Sequence, residues 1–466
     1  MCNSGGYLHC CPPLSKHTIT QGAHQKIFPR SFPTKETNHG LFALDNSSCE
    51  SIQAPPETQV EMVSLMPIEA NGTLEPDVRI HTDTEELRQN VTQRASVLAH
   101  LLNTLGLRLY GTLRAQNAPN TLFSPVNAYG ALVTLYLGAS GATAGKLQKL
   151  LGLEKKTDTV DCVSPFDGHK VLHTLQNINS LIDGATDELR TQVWVFGTTN
   201  ISESFARGVQ DLSDTSYTRA VDLSQPLQAQ AQLNTFIQKT SEGKINNLFE
   251  DISSSSDLLF ASSVHFKGNW RMAFKPEATS PQEFWIDDKT SIMVPLMTHT
   301  GNYKHLNDKT RNCMVLKLAL SGRAYMLLVL PHEGTHLGPV EDQLTAELIS
   351  TWSQHLKEGV VEVSLPKFSI NSVSDLKSIL SDMRLPTLLG EGAEFSQLSR
   401  KENFTVGKVL SKVVFETSEE GAEEEDKPQA EETVAKLMVN RPFCFAIVEG
   451  NSDAILLLGR IGDPTH

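Results

Sequence analysis

The sequence predicts one mixed α+β domain that follows an irregular N-terminal extension. Residues 1–83 are rich in Pro, Ser, Thr, Asn and Gln and show no hydrophobic period, which is typical of irregular chain. Helical patterns dominate from residue 84, and strand patterns dominate after residue 258. Several of those strands are apolar on both faces, as in a sheet that is covered on both sides. We therefore expect a single domain over residues 84–466.

The predicted helices are stretches with apolar residues at helical spacing. The first lies within residues 84–113 and has a broad leucine-rich face. Ser124 and Pro125 predict the N-cap and the first turn of the second, which follows a short strand at residue 120 and runs to about residue 137. Five more helices are predicted, at residues 142–151, 169–182, 227–238, 340–356 and 373–383.

The predicted strands are short runs of apolar or alternating residues. They lie at residues 191–198, 258–270, 291–297, 314–320, 324–330, 360–365, 412–415, 434–439, 443–448 and 454–458. Between two of them, residues 419–432 carry eight carboxylates against one lysine, together with Pro428. Charge repulsion and the lack of apolar residues predict a solvated, mobile loop there, and long loops on compact domains are commonly functional.

Composition excludes several classes of partner. The formal net charge is −14 and no basic cluster is present, so we expect no nucleic-acid binding. No stretch approaches the roughly 18 apolar residues of a membrane span, so we expect no membrane partner. The first residues lack a basic region followed by an apolar run, and no signal peptide is predicted there.

Sequons and cysteines give candidate modification sites. Five Asn-x-Ser/Thr acceptors are candidate glycosylation sites: Asn46, Asn71, Asn90, Asn200 and Asn403. The seven cysteines form no CxxC pair and no metal-binding spacing, and Cys313 and Cys444 lie in strand-like runs typical of core residues. Cys49 and Cys162 are the pair that we would bridge, with two unpaired thiols as the open alternative.

No catalytic motif has the context that its chemistry needs. His332 to His336 reads HEGTH, the HExxH pattern of zinc proteases, but both histidines reach one zinc ion only from a helix. Pro331 and Gly334 predict a turn at a strand exit instead. No P-loop, G-x-S-x-G or G-x-G-x-x-G pattern occurs. We therefore expect no metal, no cofactor and no enzymatic activity.

Eight short motifs follow one another between residues 120 and 464. They are NTLFSPV (120–126), TSEGKINNL (240–248), VHFKGNW (264–270), VPLM (294–297), LPKF (365–368), EEG (419–421), NRPF (440–443) and LGRIGDP (458–464). Together and in this order they resemble the serpin family. The resemblance covers about residues 85–466. It implies the serpin fold, with three β-sheets, about nine helices and an exposed reactive loop near the C-terminus, in a secreted, monomeric protein.

The residues of the acidic loop bear on the inhibitory mechanism that the resemblance implies. A serpin inhibitor traps a protease by inserting its cleaved loop as a new strand within a sheet. The hinge of that loop is Glu419, Glu420, Gly421 and Ala422, and the next residues are Glu-Glu-Glu-Asp-Lys-Pro. Burial of an unpaired carboxylate costs several kcal/mol, and Pro428 lacks a donor for the new strand. The sequence therefore favours a non-inhibitory serpin.

Segments of the extension and of the domain also resemble one family member, whose tail carries a vasoactive decapeptide that renin releases. The matching segments are residues 46–50, 105–111, 168–176 and 280–297. The resemblance implies a disulfide between Cys49 and Cys162, and a renin-type aspartic protease as partner. The peptide itself is absent, because its position holds FPTKETNHGL. Leu41 and Phe42 flank the expected cleavage point in an exposed tail.

Two other functions stay open. An active inhibitor of serine proteases would form a covalent complex that is stable in SDS. A carrier serpin would bind a hydrophobic ligand, although no sequence feature favours that role.

Overall fold

The computed structural model of the chain describes residues 40–43, 60–68, 74–79, 91–154, 166–180, 188–422 and 435–465. Within these ranges the chain forms nine α-helices of five or more residues, a short 3-10 helix at Pro276–Ala278 and helical residues at 40–42. Seventeen β-strands form three sheets. The predicted α+β class, the three sheets and the approximate number of helices are confirmed. No helix in the described ranges is both long and apolar enough to cross a membrane.

The helices lie mainly in the first half of the chain. They are α1 Val91–Arg114, α2 Pro125–Gly138, α3 Gly141–Leu151, α4 Gly168–Ser180, α5 Glu203–Leu212, α6 Pro226–Thr240, α7 Leu337–Glu341, α8 Ala346–His355 and α9 Leu376–Asp382. Ser124 caps α2 as predicted, because its hydroxyl accepts a hydrogen bond from the Asn127 backbone N–H at 3.2 Å.

The strands occupy most of the second half. They are β1 Met62–Val63, β2 Met66–Pro67, β3 Asn120–Phe123, β4 Glu188–Gly197, β5 Ile201–Ser202, β6 Thr215–Ala220, β7 Leu258–Lys267, β8 Ser280–Trp285, β9 Ser291–Asp308, β10 Cys313–Ala319, β11 Ala324–Pro331, β12 Lys357–Pro366, β13 Ser369–Asp375, β14 Val406–Glu416, β15 Ala435–Met438, β16 Phe443–Glu449 and β17 Ile455–Ile461.

Two large sheets share one core. The six-stranded sheet has the order β13-β14-β7-β4-β6-β2, and the nine-stranded sheet has the order β15-β12-β9-β10-β11-β16-β17-β3, with β8 paired to β9. The two-residue strands β1 and β5 form the third sheet. Both faces of β11 and β16 are buried, as the uninterrupted apolar runs predict.

Two predicted helices differ from the structure. The predicted helix at 340–356 is two helices, because Thr345 leaves the helical conformation and caps α8 by accepting the Leu348 N–H at 3.1 Å. The first residues of the predicted helix at 373–383 belong to β13, and Asp375 then caps α9. Strand pairing of β13 with β14 overrides the helical spacing of the apolar residues there.

The described parts of the N-terminal extension differ from the irregular chain that its composition predicts. β1 pairs with β5, and β2 adds a parallel strand to the free edge of β6. Asp77 forms an ion pair of 2.6 Å with Arg219, a residue of β6 whose side chain is fully buried. Residues 66–67 and 74–79 therefore bind along the edge of the six-stranded sheet, while residues 62–63 belong to the third sheet.

Candidate functional site

The centre of the six-stranded sheet is closed at the point where a serpin inhibitor would insert its loop. β7 and β14 are direct parallel neighbours, with Val264 opposite Val413 and Phe266 opposite Phe415. These four side chains are at most 3% exposed, and the two phenyl rings lie 5.8 Å apart. A strand that entered here would place every second side chain into this apolar layer.

The hinge follows directly after β14 and is bound to the chain that leaves β7. The Trp270 N–H donates to the Glu420 carbonyl oxygen at 3.0 Å, and the Ala422 N–H donates back to the Trp270 carbonyl at 3.0 Å. The indole N–H of Trp270 also donates to the Ser418 carbonyl at 2.7 Å. This short parallel ladder fixes the position of the hinge backbone.

Two lysines neutralise the hinge carboxylates. Lys367 lies 2.8 Å from Glu419, and Lys267 lies 2.8 Å from Glu420. The Thr279 hydroxyl adds a hydrogen bond of 3.2 Å to Glu419. The hydrogen bond from Lys367 is the main reason why the pKa of Glu419 lies below its ordinary value.

Gly421 is required by the close approach of two backbones. A β-carbon at this position would overlap with the carbonyl oxygen of Trp270 and crowd the backbone of Ala273. The hinge backbone can therefore pair with Trp270 only because residue 421 has no side chain.

The acidic run at 423–426 and Pro428 lie outside the described residues. The chain is described again from Ala435, where β15 pairs in parallel with β12. Both ends of the reactive loop are thus attached to sheets.

At the expected cleavage point Phe42 is buried and Leu41 is half-buried, in contrast to the exposed tail that the sequence predicts. Phe42 has no solvent exposure and belongs to the main hydrophobic core. Its carbonyl accepts the Asp167 N–H at 2.7 Å, and Ala43 forms a β-bridge with Phe166. The guanidinium of Arg94 donates to the Leu41 carbonyl at 3.1 Å.

Only some of the remaining predicted site residues lie in the part of the chain that the structure describes. Cys49, Cys162, Asn46, Asn71 and Asn90 lie outside the described residues. Asn200 and Asn403 are exposed, which glycosylation requires.

The HExxH segment forms a turn, as predicted. His332 and His336 flank Gly334, whose φ is 76°, and His336 precedes α7 as its N-cap residue. Among the described residues, no group of three or more His, Cys, Asp or Glu side chains could hold a metal ion.

Comparison with known proteins agrees with this architecture. The sequence profile of the family described as serpin (serine protease inhibitor) matches residues 100–464. The chain belongs to the serpin family. Angiotensinogen of Bos taurus is 31% identical to this serpin over 448 residues, which cover 91% of the chain and 92% of that relative. Protein Z-dependent protease inhibitor of Mus musculus is 31% identical over 373 residues, which cover 79% of the chain and 82% of that relative.

Solved serpin structures have the same fold. The crystal structure of mouse protein Z-dependent protease inhibitor aligns with a TM-score of 0.71 at 28% identity, covering 82% of this chain and all of that one. Human thyroxine-binding globulin in complex with its hormone aligns with a TM-score of 0.69 at 28% identity, covering 80% of this chain and all of that one. The similarity thus extends to relatives with different roles.

Proposed function

We propose that this chain is a secreted, non-inhibitory serpin whose N-terminal tail is a substrate of a renin-type aspartic protease. The observation that carries the non-inhibitory part is the run Glu423, Glu424, Glu425 and Asp426 directly after the hinge. Side chains of a strand alternate between its faces, so two of these four carboxylates would point to the core in either register.

The structure defines what those two carboxylates would meet. On the core side of the opening they would lie among Phe266, Phe415 and their buried neighbours, and the residues that the structure describes place no basic group in that apolar layer. Each unpaired carboxylate would cost several kcal/mol there. On the outer face, Lys267 and Lys412 offer charge partners at β7 and β14, so the obstacle to insertion is confined to the core face.

The substrate part of the proposal rests on similarity and on the tail. The match to angiotensinogen extends over 91% of the chain and therefore includes part of the extension. Because FPTKETNHGL replaces the vasoactive decapeptide, the proposal concerns cleavage of the tail between Leu41 and Phe42, and not release of that hormone. A role in blood-pressure regulation would need a different active peptide.

The test has two arms. Incubation with renin, followed by N-terminal sequencing, is expected to give a new terminus at Phe42. Mixing with trypsin, chymotrypsin, elastase and thrombin is expected to give cleaved loop and no SDS-stable complex. A covalent complex would support the alternative, inhibition of a serine protease, which is the role named for the mouse relative.

A further inference from the structure

Residues of α1 and of the start of α4 bind the backbone carbonyls of residues 41–43. We propose that Arg94 is a latch: it binds the carbonyl oxygen of the bond between Leu41 and Phe42 and so controls the rate at which the tail is cleaved. This inference rests on the proposed function, because it concerns the regulation of the same cleavage point.

The side chain of Arg94 points to the bond between Leu41 and Phe42. It lies in the first turn of α1, is only 8% exposed, and donates from Nε to the Leu41 carbonyl oxygen at 3.1 Å. That oxygen belongs to the peptide bond that would be hydrolysed. An aspartic protease must polarise the same oxygen, so a bound guanidinium excludes the enzyme from it.

The second observation is that the next two carbonyls are also held. The Asp167 N–H donates to the Phe42 carbonyl at 2.7 Å, and the Lys170 ammonium donates to the Ala43 carbonyl at 3.3 Å. Asp167 directly precedes α4 and Lys170 lies in its first turn. The segment is therefore held by α1 on one side and by α4 on the other.

The third observation concerns backbone conformation. Residues 40–42 are helical, and the Phe42 side chain is fully buried in the core. A protease cleft binds its substrate as an extended strand, with the side chains on both sides of the bond in pockets of the enzyme. Cleavage therefore requires that residues 40–42 first leave this buried, helical conformation.

The kinetic consequence follows from this requirement. When opening and closing are fast, the cleavage rate is proportional to the fraction of molecules in the open state. A hydrogen bond to a charged group stabilises the closed state enough that its loss increases the open fraction by about 10- to 100-fold. Arg94 is in this sense a positioning residue, because it acts on access and not on the chemical step.

The test compares Arg94→Met with Arg108→Met. Methionine keeps much of the apolar stem and removes the guanidinium. Arg108 lies exposed on the same helix and is the matched control. Lys170→Met is a second variant, which removes a contact from the other helix, so that a folding defect in one protein does not decide the result.

Each full-length protein is incubated separately with renin and with chymotrypsin, which cuts after large apolar residues. Cleavage at residues 41–43 is timed by mass spectrometry, and cleavage after a core residue such as Phe260 reports global unfolding. We expect Arg94→Met to be cut about 10- to 100-fold faster than wild type at residues 41–43 and unchanged at Phe260. We expect Arg108→Met to behave as wild type.

Equal rates of wild type and Arg94→Met with chymotrypsin would overturn the latch. The separate incubations with renin and chymotrypsin also distinguish a failure of the latch from a failure of the proposed function. If chymotrypsin cuts Arg94→Met faster, while renin cuts neither that variant nor a synthetic peptide of residues 32–50, the latch stands and the renin-type substrate role fails.

Discussion

The ammonium of Lys367 lies 2.8 Å from the carboxylate of Glu419, so the exit of β12 is joined by an ion pair to the first residue of the hinge. The hydrogen bond from Lys367 lowers the pKa of Glu419 in the folded state. A carboxylate with a lowered pKa stabilises the fold above its unfolded pKa of about 4.3, and this contribution disappears as the pH falls through the folded value.

Replacement Glu419→Gln is therefore expected to remove an acid-sensitive part of the stability. The lysine is 45% exposed and solvent screens the pair, so we expect a loss of less than about 1 kcal/mol in the free energy of unfolding at pH 7. Urea unfolding between pH 7 and pH 3 measures it. The difference between wild type and variant should shrink below about pH 4; a constant difference would contradict the role of the ion pair.

Gly421→Ala is expected to displace the hinge. The added methyl group would overlap with the Trp270 carbonyl oxygen, and relief of that overlap costs about 1–3 kcal/mol. Gly145→Ala is the control, because nothing lies within 4 Å of that position and it is inside α3. The control should gain about 0.5–1 kcal/mol from helix propensity. If Gly421→Ala leaves the melting temperature unchanged, the backbone of residue 421 does not lie as close to Trp270 as the structure places it.

Asp77→Asn is expected to weaken the attachment of the extension to the sheet edge. It places a neutral amide beside the fully buried Arg219, and loss of one member of a buried ion pair costs about 3 kcal/mol. Glu358→Gln is the control, because its pair with Lys304 is exposed on both sides and should change stability by less than about 0.5 kcal/mol. Similar small losses in both variants, measured in urea, would contradict a structural role for residues 74–79.

Four of the seven cysteines are expected to fall into two groups. Cys313 and Cys444 are buried, and burial raises the pKa of Cys313 to about 12, so neither should react with iodoacetamide at pH 8 before unfolding. Cys49 and Cys162 are expected in one disulfide-linked peptide under non-reducing conditions. Peptide mapping by mass spectrometry checks both statements. Free Cys49, or rapid labelling of Cys313 in the folded protein, would contradict them.

The order of the motifs was enough to predict the serpin fold, and most element positions followed from hydrophobic period. The strands that the sequence did not predict lie in polar segments. β6, TSYTRA, carries few apolar residues, and its Arg219 is buried only because Asp77 and the Glu75 carbonyl bind it from a distant part of the chain. β8 is exposed at all positions except Phe284. Such strands are stabilised by pairing and leave little periodic signal.

One missed helix did carry a signal. In α5, Phe205, Val209 and Leu212 recur at helical spacing after the capping Ser202, whose hydroxyl accepts the Phe205 N–H at 3.2 Å. At the candidate sites, the hinge was predictable from the EEG motif. The buried position of Phe42 was not, because it depends on Arg94 and Asp167, which are far away in the sequence.

The central claim is that the acidic run prevents insertion of the reactive loop. The most direct measurement is the thermal unfolding of the protein before and after a Glu-specific endoprotease has cut after Glu431 or Glu432. Mass spectrometry verifies that only the loop is cut and that residues 423–426 stay joined to β14. The account predicts that the melting temperatures of cut and intact protein agree within about 5 °C, because no strand is added to the sheet. A rise of more than about 10 °C after cleavage would show that the carboxylates enter the core face between β7 and β14, and would contradict the account.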